Sequence, residues 1–397
     1  MLGETPTRRG QLKGYMFEVV IRHLLKLNNF EQITTSVPGK IQVTSDHKIE
    51  IKGRGTWHQI DSPCVYIKSI PFIYDIRLLA EVKFYSSEIQ KSKIREYVGT
   101  IKDISENYFI DSKDTIDNQR RYTDIGVFFA INGFQIESEN LAFVHGIKTI
   151  SYKNNSIMNK IKPILERIES ECLRAELCIS NGNQKKFMDD LTNLLLYPSQ
   201  SAQINDFNSY FTPTGEFAVL LNQLSSQLLG IQSSFFGVTG TNYFIHFLSF
   251  DTFPQQLFMR TDERECRIYY DVNDATFYLR ILNENGVVDS SKFYFSAPKP
   301  ILDKVFDGGT SVLDDKGRHF SIIKISISID DINRNLVLRL DNDWIERIKQ
   351  GRQHEANNNK YYQENNIYEM GTNYDINNNI NSTHEKKVLA KQGVQVT

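Results

Sequence analysis

The chain has no hydrophobic run near the roughly 20 residues that a membrane-spanning helix needs. Its first residues, MLGETPTRRGQLKG, lack the apolar stretch of a secretory signal. Cysteine is scarce: Cys64, Cys172, Cys178 and Cys266 are the four present, and no two form a CxxC pair. That spacing indicates neither a disulfide framework nor a zinc site, so the expectation is reduced thiols in a cytoplasmic protein. An excess of charge of one sign is also missing, with 46 Lys and Arg against 48 Asp and Glu and a net charge of −2. Residues 1–150 hold 20 of those basic residues and 18 of the acidic ones, leaving 26 and 30 for the remainder. The N-terminal part is therefore the more basic. A content of 40% hydrophobic and 24% charged residues is ordinary for a globular chain. The length of 397 residues allows two domains of about 100–200 residues each.

The most informative segment is IRLLAEVKFY, residues 76–85. Successive strand side chains point to opposite faces, so Glu81 and Lys83 share one face and Val82 packs on the other. A carboxylate for a hard cation and an ammonium for a phosphate or a water then stand side by side. The triplet alone is weak, because Glu385-Lys386-Lys387, Asp314-Asp315-Lys316 and Asp111-Ser112-Lys113 repeat the pattern. Only Glu81 follows an apolar run (Ile76, Leu78, Leu79, Ala80) that reads as a buried strand. An isolated Glu-x-Lys is more often a surface ion pair at a strand end.

The surrounding motifs change that balance. Residues 10–30 read as an amphipathic helix, with Leu12, Met16, Val20, Leu24 and Leu27 at helical spacing and Glu18 beside the apolar stripe. Gly53-Arg54-Gly55 reads as a flexible turn leading to Trp57, Gln59 and Asp61. Residues 86–104 have helical character (Ile89, Ile94, Val98, Ile101) and carry Lys91, Lys93, Arg95 and Lys102. A strand over 124–131, a short helix over 139–144 and a strand over 148–152 follow.

Residues 10–152, a little over a third of the chain, resemble the PD-(D/E)xK nucleases and, within them, the Mrr-like restriction endonuclease domain. The resemblance rests on GYMFE with Glu18, GRGTWHQID with Asp61, AEVK with Glu81 and Lys83, and the closing pattern INGF followed by LAFVHGIKTI. It implies an α/β restriction-endonuclease-like domain, a mixed central sheet flanked by helices. It also implies Mg²⁺-dependent phosphodiester hydrolysis, with Mn²⁺ able to substitute. Asp61 and Glu81 would bind the metal, a hard ion that favours carboxylate oxygen, and the Val82 carbonyl would complete the shell. Lys83 would orient the attacking water and neutralise the phosphate. Glu18 would orient a water or a second metal.

Two features depart from that pattern. The stretch from Asp61 to Glu81 is long, so Asp75 competes with Asp61 for the metal; Asp61 is favoured because it ends the glycine-rich turn. Arg77 would point the same way as Glu81 and is read as a flanking structural residue. Gln90 is either a helper from the following helix or an exposed glutamine. Trp57 and His58 are read as structural. Arg54, Lys91, Lys93 and Arg95, with Arg8, Arg9 and Lys13, are candidates for phosphate contacts, which supply affinity without sequence information. For any one of them a solvated basic face is the plainer reading.

Residues 153–200 read as a helical connector, with helices over 157–177 and 186–196 and a boundary near Pro198. Residues 201–350 read as a β-rich domain for recognition, sensing or partner docking. Its strands fall over 243–250, 266–272, 276–282, 292–296, 320–329 and 336–340, with Asn285-Gly286 as a hairpin turn. Its aromatics (Phe235, Phe236, Tyr243, Phe244, Tyr269, Tyr270) could stack bases, though strand aromatics are more often core. The asparagine-rich tail, 351–397, reads as disordered. The leading expectation is a Mg²⁺-dependent endonuclease acting on double-stranded DNA in restriction or anti-phage defence, as a homodimer or partner-bound complex. A nuclease effector that waits for a partner or small signal, and a catalytically silent nucleic-acid-binding module, are the alternatives. The residues do not separate DNA from RNA.

Overall fold

The computed structural model describes residues 11–44, 48–68, 72–107, 121–174, 190–193, 215–271, 274–297, 299, 319–329, 332–347 and 350. Arg8, Arg9, Cys178, the boundary near Pro198 and the tail from 351 lie outside them. So does the expected helix over 186–196, apart from a helical stretch at 190–193.

The first helix, α1 (Gln11–Leu27), forms where Leu12, Met16, Val20 and Leu24 recur at helical spacing, and all four are buried. It ends at Leu27, three residues short of the expected 10–30 span. Asn29 takes a left-handed φ of 61° just past its end, which turns the chain out of the helix. Phe30 then opens a strand, β1 (Phe30–Gln32). The strands β2 (Ile41–Val43), β3 (Ile49–Lys52) and β4 (Trp57–Ile60) pair antiparallel in a small sheet of their own. Gly53-Arg54-Gly55 joins β3 to β4, so a whole strand separates that turn from Asp61. The next elements are β5 (Ser62–Tyr66), β6 (Asp75–Lys83), α2 (Lys91–Ser105), β7 (Tyr122–Ala130), α3 (Ile136–Val144) and β8 (Lys148–Ser151). They build a five-stranded mixed sheet in the order β1-β5-β6-β7-β8, with β6, β7 and β8 parallel and the rest antiparallel. The stretch between Asp61 and Glu81 is long because it contains the whole of β5.

Strand alternation sends two sets of side chains to opposite faces of this sheet. Leu78, Ala80, Val82, Val127 and Phe129 join α1 and two further helices, α4 (Ser156–Arg174) and α5 (Gly215–Leu229), in the largest apolar cluster. Phe128 and Ala130 meet α2 and α3 on the other face, while Leu79 packs with Ile51, Ile60 and Ile104. A sheet covered on both faces is what mixed and parallel strands require. The helix α5 corrects the reading of 201–350 as β-rich throughout. Phe217, Leu220, Leu221, Leu224 and Leu228 lie at helical spacing, and all are buried.

Beyond α5 the chain forms a seven-stranded closed barrel. Its strands are β9 (Ser233–Thr239), β10 (Phe244–Ser249), β11 (Glu263–Asp271), β12 (Thr276–Ile281), β13 (Phe293–Phe295), β14 (Ile322–Ile329) and β15 (Ile332–Leu340). They close in the order β10-β13-β12-β11-β15-β14-β9, and closure removes the exposed edges a sheet would otherwise have. The interior holds Phe235, Phe247, Tyr270, Phe277, Phe295, Ile323 and Ile325, so the aromatics Phe235 and Tyr270 are core residues. Asn285-Gly286 makes the expected turn, with Gly286 at φ +73°. A buried hydrogen-bond chain fastens the barrel to the sheet. Tyr152 meets His246 Nδ1 at 2.8 Å, His246 Nε2 meets Ser234 Oγ at 2.8 Å, and Asn28 Nδ2 donates to Ser234 Oγ at 2.7 Å. Burial lowers the His246 pKa to about 3, so this ring is a neutral structural link. Among the described residues no helix is long and apolar enough to cross a membrane.

If α5 belongs to the core of the mixed sheet, Leu224→Ala should cost about 2–5 kcal/mol. Urea unfolding checks this; a loss below about 0.5 kcal/mol would show a helix that is merely tethered.

Candidate functional site

Strand β5 begins at Ser62, opposite Ala80 of β6. A longer β5 would place residue 60 opposite Val82, but Ile60 belongs to β4 and pairs with Ile49 in the small sheet. The Val82 amide, pointing toward the missing strand, would be left without a partner. The Asp61 side chain takes that place: Val82 N–H donates to Asp61 Oδ2 at 3.0 Å. Asp61 is thus the single residue between two sheets, and its carboxylate is pinned against the end of β6.

Glu81 and Lys83 share a face of β6, as the alternation requires. Lys83 Nζ lies 2.8 Å from Asp61 Oδ2 and 2.6 Å from Glu81 Oε1, bridging the two acids. Glu18 comes from α1. It is paired with Arg22, one turn on, at 3.2 Å. Arg22 also donates to the Asp61 carbonyl at 3.2 Å and to Ser62 Oγ at 3.3 Å. Below the site the Tyr97 hydroxyl bonds the Leu79 carbonyl, accepts from Val127 N–H at 3.0 Å and fixes α2 to the sheet.

The electrostatics follow from three acids sharing a partly enclosed space. Burial, then repulsion from Asp61, raises the Glu18 pKa from 4.5 to about 8, with Arg22 opposing. Burial and Asp61 likewise raise Glu81 to about 7, with Lys83 opposing. Burial pulls the Lys83 pKa down, but Asp61 and Glu81 together outweigh it, so the ammonium holds its proton more firmly than a free lysine. Burial therefore holds Glu18 and, in part, Glu81 protonated near neutral pH, beside the cations Arg22 and Lys83.

That balance bears on metal binding. Among the described residues no three His, Cys, Asp or Glu side chains group to hold a metal. The pair Asp61 and Glu81 nonetheless fits a hard dication, because an acid that resists ionisation beside another acid is relieved by added positive charge.

The other candidates fall outside the pair. Asp75 stands six residues before Glu81 on β6, about 20 Å away at ~3.3 Å per residue, and so leaves the contest to Asp61. Arg77 is buried and bonds both Asp124 oxygens, at 2.6 and 2.9 Å, with its guanidinium 4.5 Å over the Tyr122 ring. It is structural, as expected. Gln90 is exposed at the start of α2. His58 Nε2 meets Asp103 Oδ2 at 2.7 Å and braces the glycine turn. A Cβ on Gly53 would fall 2.1 Å from that same Asp103 oxygen, so any larger residue there would have to push the carboxylate off His58. Arg54 pairs with Glu106 at 3.0 Å, Lys93 with Glu96 at 2.9 Å and Lys13 with Glu169 at 3.7 Å. Lys91 and Arg95 are exposed on α2. Sequence reasoning misses Arg22 and Tyr97. The four-residue spacing of Glu18 and Arg22 is a legible signal; the Tyr97 bonds depend on tertiary packing and have none.

No family model and no curated protein matches the chain. Among solved structures, the crystal structure of a protein of unknown function, AF1548, matches at 13% identity and a TM-score of 0.31, covering 54% of this chain and 98% of that one. A likeness at that score says nothing about function.

The raised acids predict a pH dependence of stability. Glu18 and Glu81 keep protons in the folded chain that the unfolded chain releases, so their contribution is fully present below about pH 4.5 and is lost as pH rises to about 8. Urea midpoints measured without divalent metal should fall over that range, and Glu18→Gln should flatten the slope. Equal slopes for the two proteins would contradict the burial of Glu18.

Proposed function

We propose that the protein is a divalent-metal-dependent nuclease of the PD-(D/E)xK type that cuts double-stranded DNA, with Mg²⁺ as cofactor and Mn²⁺ as a substitute. The observation that carries this reading is the convergence of Asp61, Glu81 and Lys83 within 2.8 Å contacts at the end of one strand pair, with the two acids 20 residues apart in sequence. A five-stranded mixed sheet with helices on both faces supports assigning residues 10–152 to the restriction-endonuclease-like fold.

Asp61 and Glu81 would hold the metal. When bound, Mg²⁺ supplies positive charge to the scissile phosphate and acidifies a water. The chain's own residues do the rest. Asp61 is held in place by the Val82 amide and, through its carbonyl, by Arg22. Lys83, with its proton firmly bound, serves as a cation toward the phosphate and the attacking water, not as a general base. Glu18, largely protonated near neutral pH, has a donor to offer a water as well as acceptors. Lys91 and Arg95 on α2 are open to the backbone of a duplex. Cutting both strands takes two such sites, and a homodimer supplies them.

A second reading, the effector that waits for a signal, is favoured by a cleft between the edge of the mixed sheet and the barrel, lined in part by Asn28, Asn29 and Tyr66.

Purified wild-type protein should nick or linearise plasmid with Mg²⁺ and not with EDTA. Asp61→Asn, Glu81→Gln and Lys83→Ala should each lower the rate at least about a hundredfold, while calorimetry should show weaker Mg²⁺ binding by the two acid variants. Wild-type Mg²⁺ binding that survives both acid substitutions would sink this reading.

A further inference from the structure

The cleft between the edge of the mixed sheet and the barrel encloses about 290 Å³. Asn28 and Asn29, just past α1, line it with Phe30 and Tyr66 of the first sheet. Ser326 and Ile327 of β14, Asn333 and Asn335 of β15, Phe236 of β9 and Ile76 complete the wall. The lining contains no Lys, Arg, His, Asp or Glu, so it offers a charged group no counter-ion for the water it would lose on entry. The occupant suited to it is uncharged.

Its polar groups are mostly amides. Asn29 Nδ2 donates to Asn333 Oδ1 at 3.3 Å, and Asn333 Nδ2 donates to the Tyr66 hydroxyl. Asn28 spends its Nδ2 on the Leu24 carbonyl and Ser234. The Asn335 amide, and the Oδ1 atoms of Asn28 and Asn29, make no hydrogen bond within the described residues. Asn335 keeps a donor and an acceptor side by side, the pattern that reads the N6 and N7 edge of adenine, and the Oδ1 atoms of Asn28 and Asn29 add two acceptors for an amino group. Phe30 and Tyr66, with ring centroids 5.0 Å apart, and Phe236 add aromatic surface for a flat ligand. The volume lies at the low end of the roughly 300–1,000 Å³ of small-molecule pockets, which suits a base or nucleoside.

We propose that this cleft binds a purine nucleoside, with its base read by the asparagine amides. The binding stands whether or not the chain is a nuclease. Its consequence for cleavage rests on that reading: Asn28 and Asn29 follow directly from the helix that carries Glu18 and Arg22, so an occupant gripping them acts on one end of the helix that helps build the site.

The test is isothermal titration calorimetry of the full chain with adenosine, and with inorganic phosphate beside it. The expected result is saturable one-to-one binding of adenosine and none of phosphate. Asn335→Ala should weaken it about tenfold and, because that side chain is exposed, melt as the wild type does. Glu81→Gln should bind adenosine unchanged, which keeps this result separate from any failure of the nuclease reading. Absent adenosine binding, undiminished binding by Asn335→Ala and Asn333→Ala, or tighter binding of phosphate would each overturn the proposal.

Discussion

The Val82 amide is the point on which the site turns. A strand, β5, that starts two residues short leaves a backbone donor facing inward at the end of β6, and such donors are costly to leave unpaired. Asp61 answers it with a short side chain carrying a carboxylate. The same oxygen then meets Lys83. Backbone satisfaction and site assembly are therefore one event, and neither Glu nor Asn would serve both ends equally: the first is a methylene longer, the second uncharged. Arg22 completes the arrangement from α1 by bonding the Asp61 carbonyl and the Glu18 carboxylate.

The same interaction separates what is legible in the sequence from what is not. Strand periodicity, a local property, places Glu81 and Lys83, and the structure puts both on one face. A motif argument prefers Asp61 to Asp75, yet the place of Asp61 depends on a change of sheet that no periodicity encodes. The helix α5 escapes the sequence reading although Phe217, Leu220, Leu221, Leu224 and Leu228 carry the helical period, because the β pattern farther on extends back over it. The strand β9 escapes it too, its alternation hidden by Phe235-Phe236 adjacent to Gly237. Acidic partners are legible where they lie one helical turn away, as for Arg22 with Glu18 and Lys93 with Glu96, but Arg54 finds Glu106 only once α2 is packed in place.

The seam between the two halves combines apolar packing, which reaches Leu248 of β10, with polar links. Tyr152, His246, Ser234 and Asn28 form one chain of bonds across it, and Asn29, Asn333 and Tyr66 form another at the cleft. Directional contacts fix the angle between sheet and barrel more narrowly than interlocking aliphatic groups do, since each bond has a preferred geometry. The sheet with its acids and the barrel with its cleft are thereby held in a defined relation.

The apolar cluster under the mixed sheet runs from Leu12 to Leu248. A chain leaving the ribosome therefore makes α1, β6 and β7 long before it makes α5 and β10, which complete their packing. The barrel waits longer still, because β11 pairs in parallel with β15 across some seventy residues. Until then Met16, Val20 and the other apolar groups of α1 have only part of their final cover. The residues of the site, Glu18 to Lys83, thus leave the ribosome well before α5 and β10, the last parts of the apolar cluster beneath them.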